Sequence, residues 1–194
     1  MDRIRSAYEM AMERFKERKE VPPEEIEKME YIPMGKAFAA RFLWEKDFDF
    51  LQDINKYPDK IKSYLLDGAQ ETFLSNIQMP IDEATLKTTK KALEGMFIIK
   101  MNKDVLKEIS GQMEHLFDYY EKTIEQAYGQ FKDSFSAKMS ASMKSIEQKV
   151  GGKVKIDPEK YPGFREEWMR AVSNLNDQYN NLLTEQKEKM RNIK

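Results

Sequence analysis

The sequence predicts an all-α protein, and three observations carry the prediction. Between the prolines at 22, 23, 33, 58, 80, 158 and 162, apolar residues recur every three or four positions. No stretch alternates for long with the period of two that marks a strand. From Leu106 to Val150 one apolar stripe runs without interruption. The predicted arrangement is an N-terminal helical head, residues 1–103, followed by a long antiparallel helical hairpin, a coiled-coil-like arm over 104–194 with a loop at 151–163.

The first element is an amphipathic helix over residues 2–19, with Ile4, Tyr8, Met12 and Phe15 on one face and Glu13, Arg14, Glu17 and Arg18 opposite. Pro22 and Pro23 end it, and Pro23 suits the first turn of the next helix, with Glu24 and Glu25 near its positive end. That helix is expected to break at Ile32-Pro33, because the residue before proline avoids the α region. A further helix follows over Met34 to Glu45. Asp47 is expected to cap a short segment carrying Phe48, Leu51, Ile54 and Tyr57. Pro58 opens a helix through Leu65, Ala69 and Phe73 to Ile77, and Pro80 with Asp82 opens another through Leu86, Leu93 and Phe97. Residues 100–104 read as a kink or short loop with Asp104 as the N-cap.

The long stripe passes through Ile109, Met113, Phe117, Tyr120, Ile124, Ala127, Phe131, Phe135, Met139, Met143 and Ile146. Its mean step of about 3.67 residues implies a nearly straight helix. Gly111 and Gly129 each cost only about 1 kcal/mol against alanine and do not end it. At roughly 70 Å it would exceed the diameter of a compact chain of this size, so either the molecule is elongated or the helix kinks at one of these glycines, and elongation is the expectation. The last helix carries Phe164, Trp168, Val172, Leu175, Tyr179, Leu183 and Met190. A single antiparallel register would set Val150 against Phe164, Ile146 against Trp168, Met139 against Leu175, Phe135 against Tyr179, Phe131 against Leu183 and Ile124 against Met190. Between 113 and 131 the stripe is doubled, by Leu116, Tyr119 and Tyr128 among others, as expected where more than one neighbour packs.

Composition excludes more than it identifies. The 194 residues hold 33 basic and 34 acidic side chains, a net charge of −1, which gives no general attraction to nucleic acid or anionic lipid. Cysteine is absent, which removes disulfide and thiolate chemistry and fits a reducing cytoplasm. The longest purely apolar run, Met96 to Ile99, is far short of a membrane span.

No catalytic constellation is visible. His115 is the only histidine, so sites needing two are excluded, and no cofactor or metal is called for. Gly35-Lys36 lacks both the hydroxyl residue and the leading glycine of a phosphate loop. Glu108, Glu114, Asp118 and Glu121 alternate with lysines and read as a solvent face. Lys87, Lys90, Lys91, Lys100, Lys103 and Lys107 form the one basic concentration, diluted by Glu83, Glu94 and Glu108. Nucleic acid and membrane are therefore not the expected partners.

Three segments carry a resemblance: Ile4 to Arg14, Glu30-Tyr-Ile-Pro-Met-Gly-Lys-Ala-Phe-Ala-Ala-Arg-Phe-Leu43, and Tyr161-Pro-Gly-Phe-Arg-Glu-Glu-Trp168. They look like a family of uncharacterised bacterial helical proteins of unknown function, which implies a bacterial cytosolic setting and no particular activity. The leading expectation is a non-enzymatic cytoplasmic scaffold that docks onto itself, as a homodimer, or onto another protein through its hairpin. Its candidate surface is the small-residue face of Ser134, Ala137, Met139, Ala141, Met143 and Ser145, where methionines offer an adaptable contact. The alternative is a helical enzyme or small-ligand binder with a pocket among Phe38, Phe42, Trp44, Phe48 and Tyr57.

Overall fold

The computed structural model describes residues 10, 21–150 and 157–193, and of 141–150 it describes the backbone alone. It is all-helical, 84% helix, with no strand among the described residues. In chain order the elements are α1 (Pro23–Trp44), α2 (Phe50–Ile54), α3 (Asp59–Asn76), α4 (Glu83–Ile99), α5 (Lys103–Val150), a 3-10 turn (Pro158–Lys160) and α6 (Phe164–Arg191). The expected helix over 2–19, Met10 apart, and residues 151–156 of the expected loop lie outside the described residues. The chain forms two compact units, Met1–Glu71 and Thr72–Lys194.

In the first unit α1 does not break at Pro33 but runs through it for 22 residues. Proline inside a helix removes one backbone hydrogen bond and crowds the preceding turn. Packing on both sides of the proline offsets this. The Ile32 carbonyl lies where a Cβ on Gly68 would be, 2.1 Å away, and a Cβ on Gly35 would sit 2.0 Å from the Leu65 carbonyl. Only glycine at both positions lets α1 and α3 approach backbone to backbone. The core here is Ala39, Phe50, Ile54, Tyr64, Leu65 and Ala69. Lys36–Glu71 and Lys60–Glu27 ion pairs, at 2.6 and 2.5 Å, join α1 to α3 at the surface. The cap of α2 is Asp49 rather than Asp47: its Oδ1 accepts from Gln52 N at 2.9 Å, and Phe50 rather than Phe48 becomes the buried ring.

In the second unit the segment between α3 and α4 closes on Thr89. Its fully buried hydroxyl accepts from Gln78 N at 3.0 Å and donates to Gln78 O at 3.1 Å. The Phe73 ring lies on Gly95, 2.5 Å from where a Cβ would be. Asp82 caps α4 as expected, accepting from Thr85 N at 2.7 Å and Thr85 Oγ1 at 2.6 Å, and these bonds hold its carboxyl below the usual range. Residues 100–102 separate α4 from α5, and the cap of α5 is Asn102, not Asp104: Val105 N donates to its Oδ1 at 3.2 Å. Asp104 lies in the first turn, where a carboxylate favours the positive helix end.

The 48 residues of α5 continue through Gly111 and Gly129 without a break. α6 packs on α5 in the opposite direction, but not in the expected register. Phe164 meets Phe131 and Phe135, with ring centroids 5.1 and 5.0 Å apart, and Trp168 meets Tyr128 and Phe131. The side chains of Val150 and Ile146, their expected partners, lie outside the described residues. Tyr179 meets Tyr120 rather than Phe135, a displacement of 15 residues, a little over four turns. An apolar stripe with a helical period matches a second one at many offsets. Polar pairs select this one: Tyr120 OH donates to Asn176 Oδ1 at 3.0 Å, Thr123 and Tyr179 hydroxyls lie 3.0 Å apart, and Lys132 pairs with Glu159 at 2.5 Å. Gly163, at φ +93°, makes the left-handed turn into α6. At the other end Lys100 Nζ donates to the carbonyls of Arg191 at 2.8 Å and Ile193 at 2.5 Å, satisfying groups that α6 leaves open.

Candidate functional site

In the second unit a cleft of about 1150 Å³ is built by the start of α4, the middle of α5 and the first half of α6. Its position follows from lengths. α4 begins at Glu83, so among the described residues of this unit α5 beyond Phe117 has α6 on one side and no second helix on the other. The floor consists of Leu86, Leu93, Phe117, Tyr120, Ile124 and Tyr128, with Trp168 and Val172 from α6. Ile81, 73% exposed, stands at the lip beside Pro80.

Ring contacts and hydrogen bonds join the floor side chains to their neighbours. Tyr128 stacks edge-on against Trp168, centroids 5.1 Å apart at 81°. Its hydroxyl is kept protonated to higher pH than usual, first by burial and then by its hydrogen bond with Glu159. The Glu159 carboxyl is held below the usual range by Lys132 and by Tyr128. Burial likewise raises the pKa of Tyr120, whose hydroxyl bonds Asn176.

The rim is acidic. Asp82, Glu83, Glu114, Asp118, Glu121 and Glu125 line it, against a single cation, Lys90. Asp82 is engaged in its cap, whereas Glu83, Glu114, Asp118, Glu121 and Glu125 form no ion pair with any described lysine or arginine. Among the described residues no three His, Asp, Glu or Cys side chains are grouped to hold a metal ion. The cleft is suited to taking up an apolar body with a positive edge.

The residues singled out from sequence fall elsewhere. Phe38 touches Phe48 and Tyr57, with centroids 6.1 and 6.3 Å apart, and the Arg41 guanidinium lies 4.1 Å over Phe48. Phe42 pairs with Phe50 at 6.0 Å, and Trp44 stands 70% exposed. Phe38, Phe48 and Tyr57 thus lie together, and Phe42 lies with Phe50, while Trp44 takes part in none of these ring contacts. Ser134 and Ala137 are exposed and Met139 is half-buried, while the side chains of Ala141, Met143 and Ser145 lie outside the described residues. His115 is exposed. Of the lysines, Lys91 pairs with Glu94 at 2.8 Å, Lys100 holds the end of α6, and Lys103 donates to the carbonyls of Phe97 and Lys100. Only Lys90 lines the cleft.

The sequence reading missed the cleft, although its signal was present. Glu114, Asp118, Glu121 and Glu125 follow steps of four, three and four, which places them on one ridge of α5 beside the apolar stripe. A solvated acidic face lying directly against a doubled apolar stripe marks an edge where packing stops.

No helix among the described residues is long and apolar enough to cross a membrane. The profile of a family of unknown function, DUF6657, matches residues 51–192, which include every residue of the cleft and, of the three segments that suggested a family, the one at 161–168. No curated protein and no solved structure matches the chain.

Proposed function

The chain belongs to DUF6657, a family of unknown function, and from that premise we propose that it is a non-enzymatic cytoplasmic interaction module that seats a helix of a partner protein in the α4–α5–α6 cleft. The observation carrying this reading is an apolar, partly aromatic floor left open along about three turns of α5. Helix-in-groove recognition uses such a floor, because anchors at i, i+3, i+4 and i+7 of the incoming helix reach it while its other face stays wet. Trp and Tyr, which combine area with a polar handle, are favoured at such contacts. The finer organisation belonging to this proposal is a helical head followed by α5 and α6 as an antiparallel hairpin that serves as the docking platform. The absence of cysteine from the sequence is compatible with the cytoplasmic setting.

A photo-crosslinking amino acid at Ile124, inside the cleft, tests the reading in living cells. One discrete protein adduct is expected there and none from the same group at Gln112, which does not line the cleft. Equal labelling from both positions would refute it.

A further inference from the structure

Resting on that reading, we infer that the partner helix is basic and amphipathic: the cleft selects a lysine- or arginine-edged helix through the carboxylate ridge of α5. On a helix of 100° per residue, Glu114, Asp118, Glu121 and Glu125 fall within one narrow arc. Phe117, Ile124 and Tyr128 fall in the adjoining arc and form part of the floor. The ridge runs roughly 16 Å, or three turns. A partner helix with apolar anchors on one face and cations along its edge at the same steps of four, three and four would meet floor and ridge together.

Charge is what singles out this occupant. None of the four ridge carboxylates forms an ion pair with a described lysine or arginine, so an incoming positive edge would meet four like charges on one arc that are not already engaged. Lys90 is the sole cation on the rim. An acidic helix would set carboxylate against carboxylate along all three turns, and a neutral helix would gain only the floor. Rim charges act mostly on association and on choice of partner, which is the role assigned to this ridge.

The molecule contains its own reporter. It has two tryptophans, Trp44 in the first unit and Trp168 in the cleft, so a Trp44→Phe chain reports from Trp168 alone. The probes are three synthetic peptides of about 18 residues, long enough to cover the ridge. One has leucines on one helical face and lysines elsewhere, the second has glutamates in place of the lysines, and the third is the first with its order scrambled to abolish the apolar face. Saturable movement of Trp168 emission is expected with the first peptide. Its affinity should fall about tenfold or more in a Glu114→Gln, Asp118→Asn, Glu121→Gln, Glu125→Gln chain, four exposed charge pairs having been removed together. On the unsubstituted ridge it should also fall as salt rises from about 50 to 500 mM. Equal binding of the scrambled peptide, or no effect of neutralisation or salt, overturns the inference. If the glutamate peptide moves Trp168 instead, the cleft still binds a helix and only its basic character is lost. If no peptide moves Trp168, both readings fall.

Discussion

Replacing Gly35 with alanine adds a methyl carbon 2.0 Å from the Leu65 carbonyl oxygen and 2.8 Å from Leu65 Cα. Neither atom can turn away, since both are backbone in the middle of α3. The helices must separate by more than 1 Å, and a gap of that size forfeits about a quarter to a half of each dispersion contact across the joint. Overpacking of this kind costs about 1 to 3 kcal/mol. Against it stands a gain of about 1 kcal/mol from the better helix former. The expected net loss is about 0 to 2 kcal/mol, and Gly68→Ala should match it because its methyl would meet the Ile32 carbonyl. Gly111 and Gly129 provide the control. A Cβ at either meets nothing within 4 Å, so the same substitution should stabilise by about 0.5 to 1 kcal/mol. Urea unfolding followed by helical circular dichroism, and by Trp44 emission in a Trp168→Phe chain, measures each case. If Gly35→Ala stabilises as much as Gly111→Ala, or if Gly111→Ala is as damaging as Gly35→Ala, the backbone contact of α1 with α3 is wrong.

Phe135→Ala should cost about 3 to 5 kcal/mol, because the ring is 7% exposed and touches Phe131, Tyr161 and Phe164, whereas half-buried Leu175→Ala should cost clearly less; equal losses in thermal unfolding would favour a register in which Leu175 also faces a closed seam. Glu159 has a lowered folded pKa, so the stability it contributes is present above the unfolded carboxylate value, near 4.3, and is lost as pH falls through the folded value. Glu159→Gln should therefore be less stable than the parent at pH 7 and converge with it in acid, and parallel pH curves would contradict the Lys132 pairing. Lys187 is half-buried, and desolvation lowers its pKa, so its charged form opposes folding at neutral pH. Lys187→Met should raise the unfolding midpoint at pH 7, and that gain should shrink as pH climbs towards the ordinary lysine value near 10.4; a gain constant with pH would place its cause in packing instead.

Helix content, the Asp82 cap, the start of α1 at Pro23 and the continuity of α5 were legible because each depends on near neighbours in sequence. Pro33 was misread for the opposite reason. Its local penalty is real, and only the distant Gly68 and Leu65 show why the helix survives it. The α5–α6 register failed because apolar matching is degenerate along a periodic stripe, while Tyr120–Asn176 and Lys132–Glu159 are polar matches that counting apolar pairs ignores. The cleft was only half legible: the acidic ridge beside the doubled stripe marks an edge of packing, but not what stands across from it. Nothing in the spacing of Glu114, Asp118, Glu121 and Glu125 tells where α4 begins alongside them, and that end makes an ordinary solvated face into a rim.

The bond from Lys100 to the carbonyl of Ile193 spans 93 positions of chain, and this has a consequence during synthesis. A ribosome adding about 5 to 20 residues per second needs roughly 5 to 20 s to make that length. Over that interval the apolar side of α5 has been translated while the helix that covers it is still being made. Nascent chains with such a delayed partner are the ones that aggregate or recruit chaperones. Slowing translation within 164–191 should therefore lower the yield of folded protein more than an equal pause within 23–44, whose packing partners Leu65 and Gly68 follow within a few dozen residues.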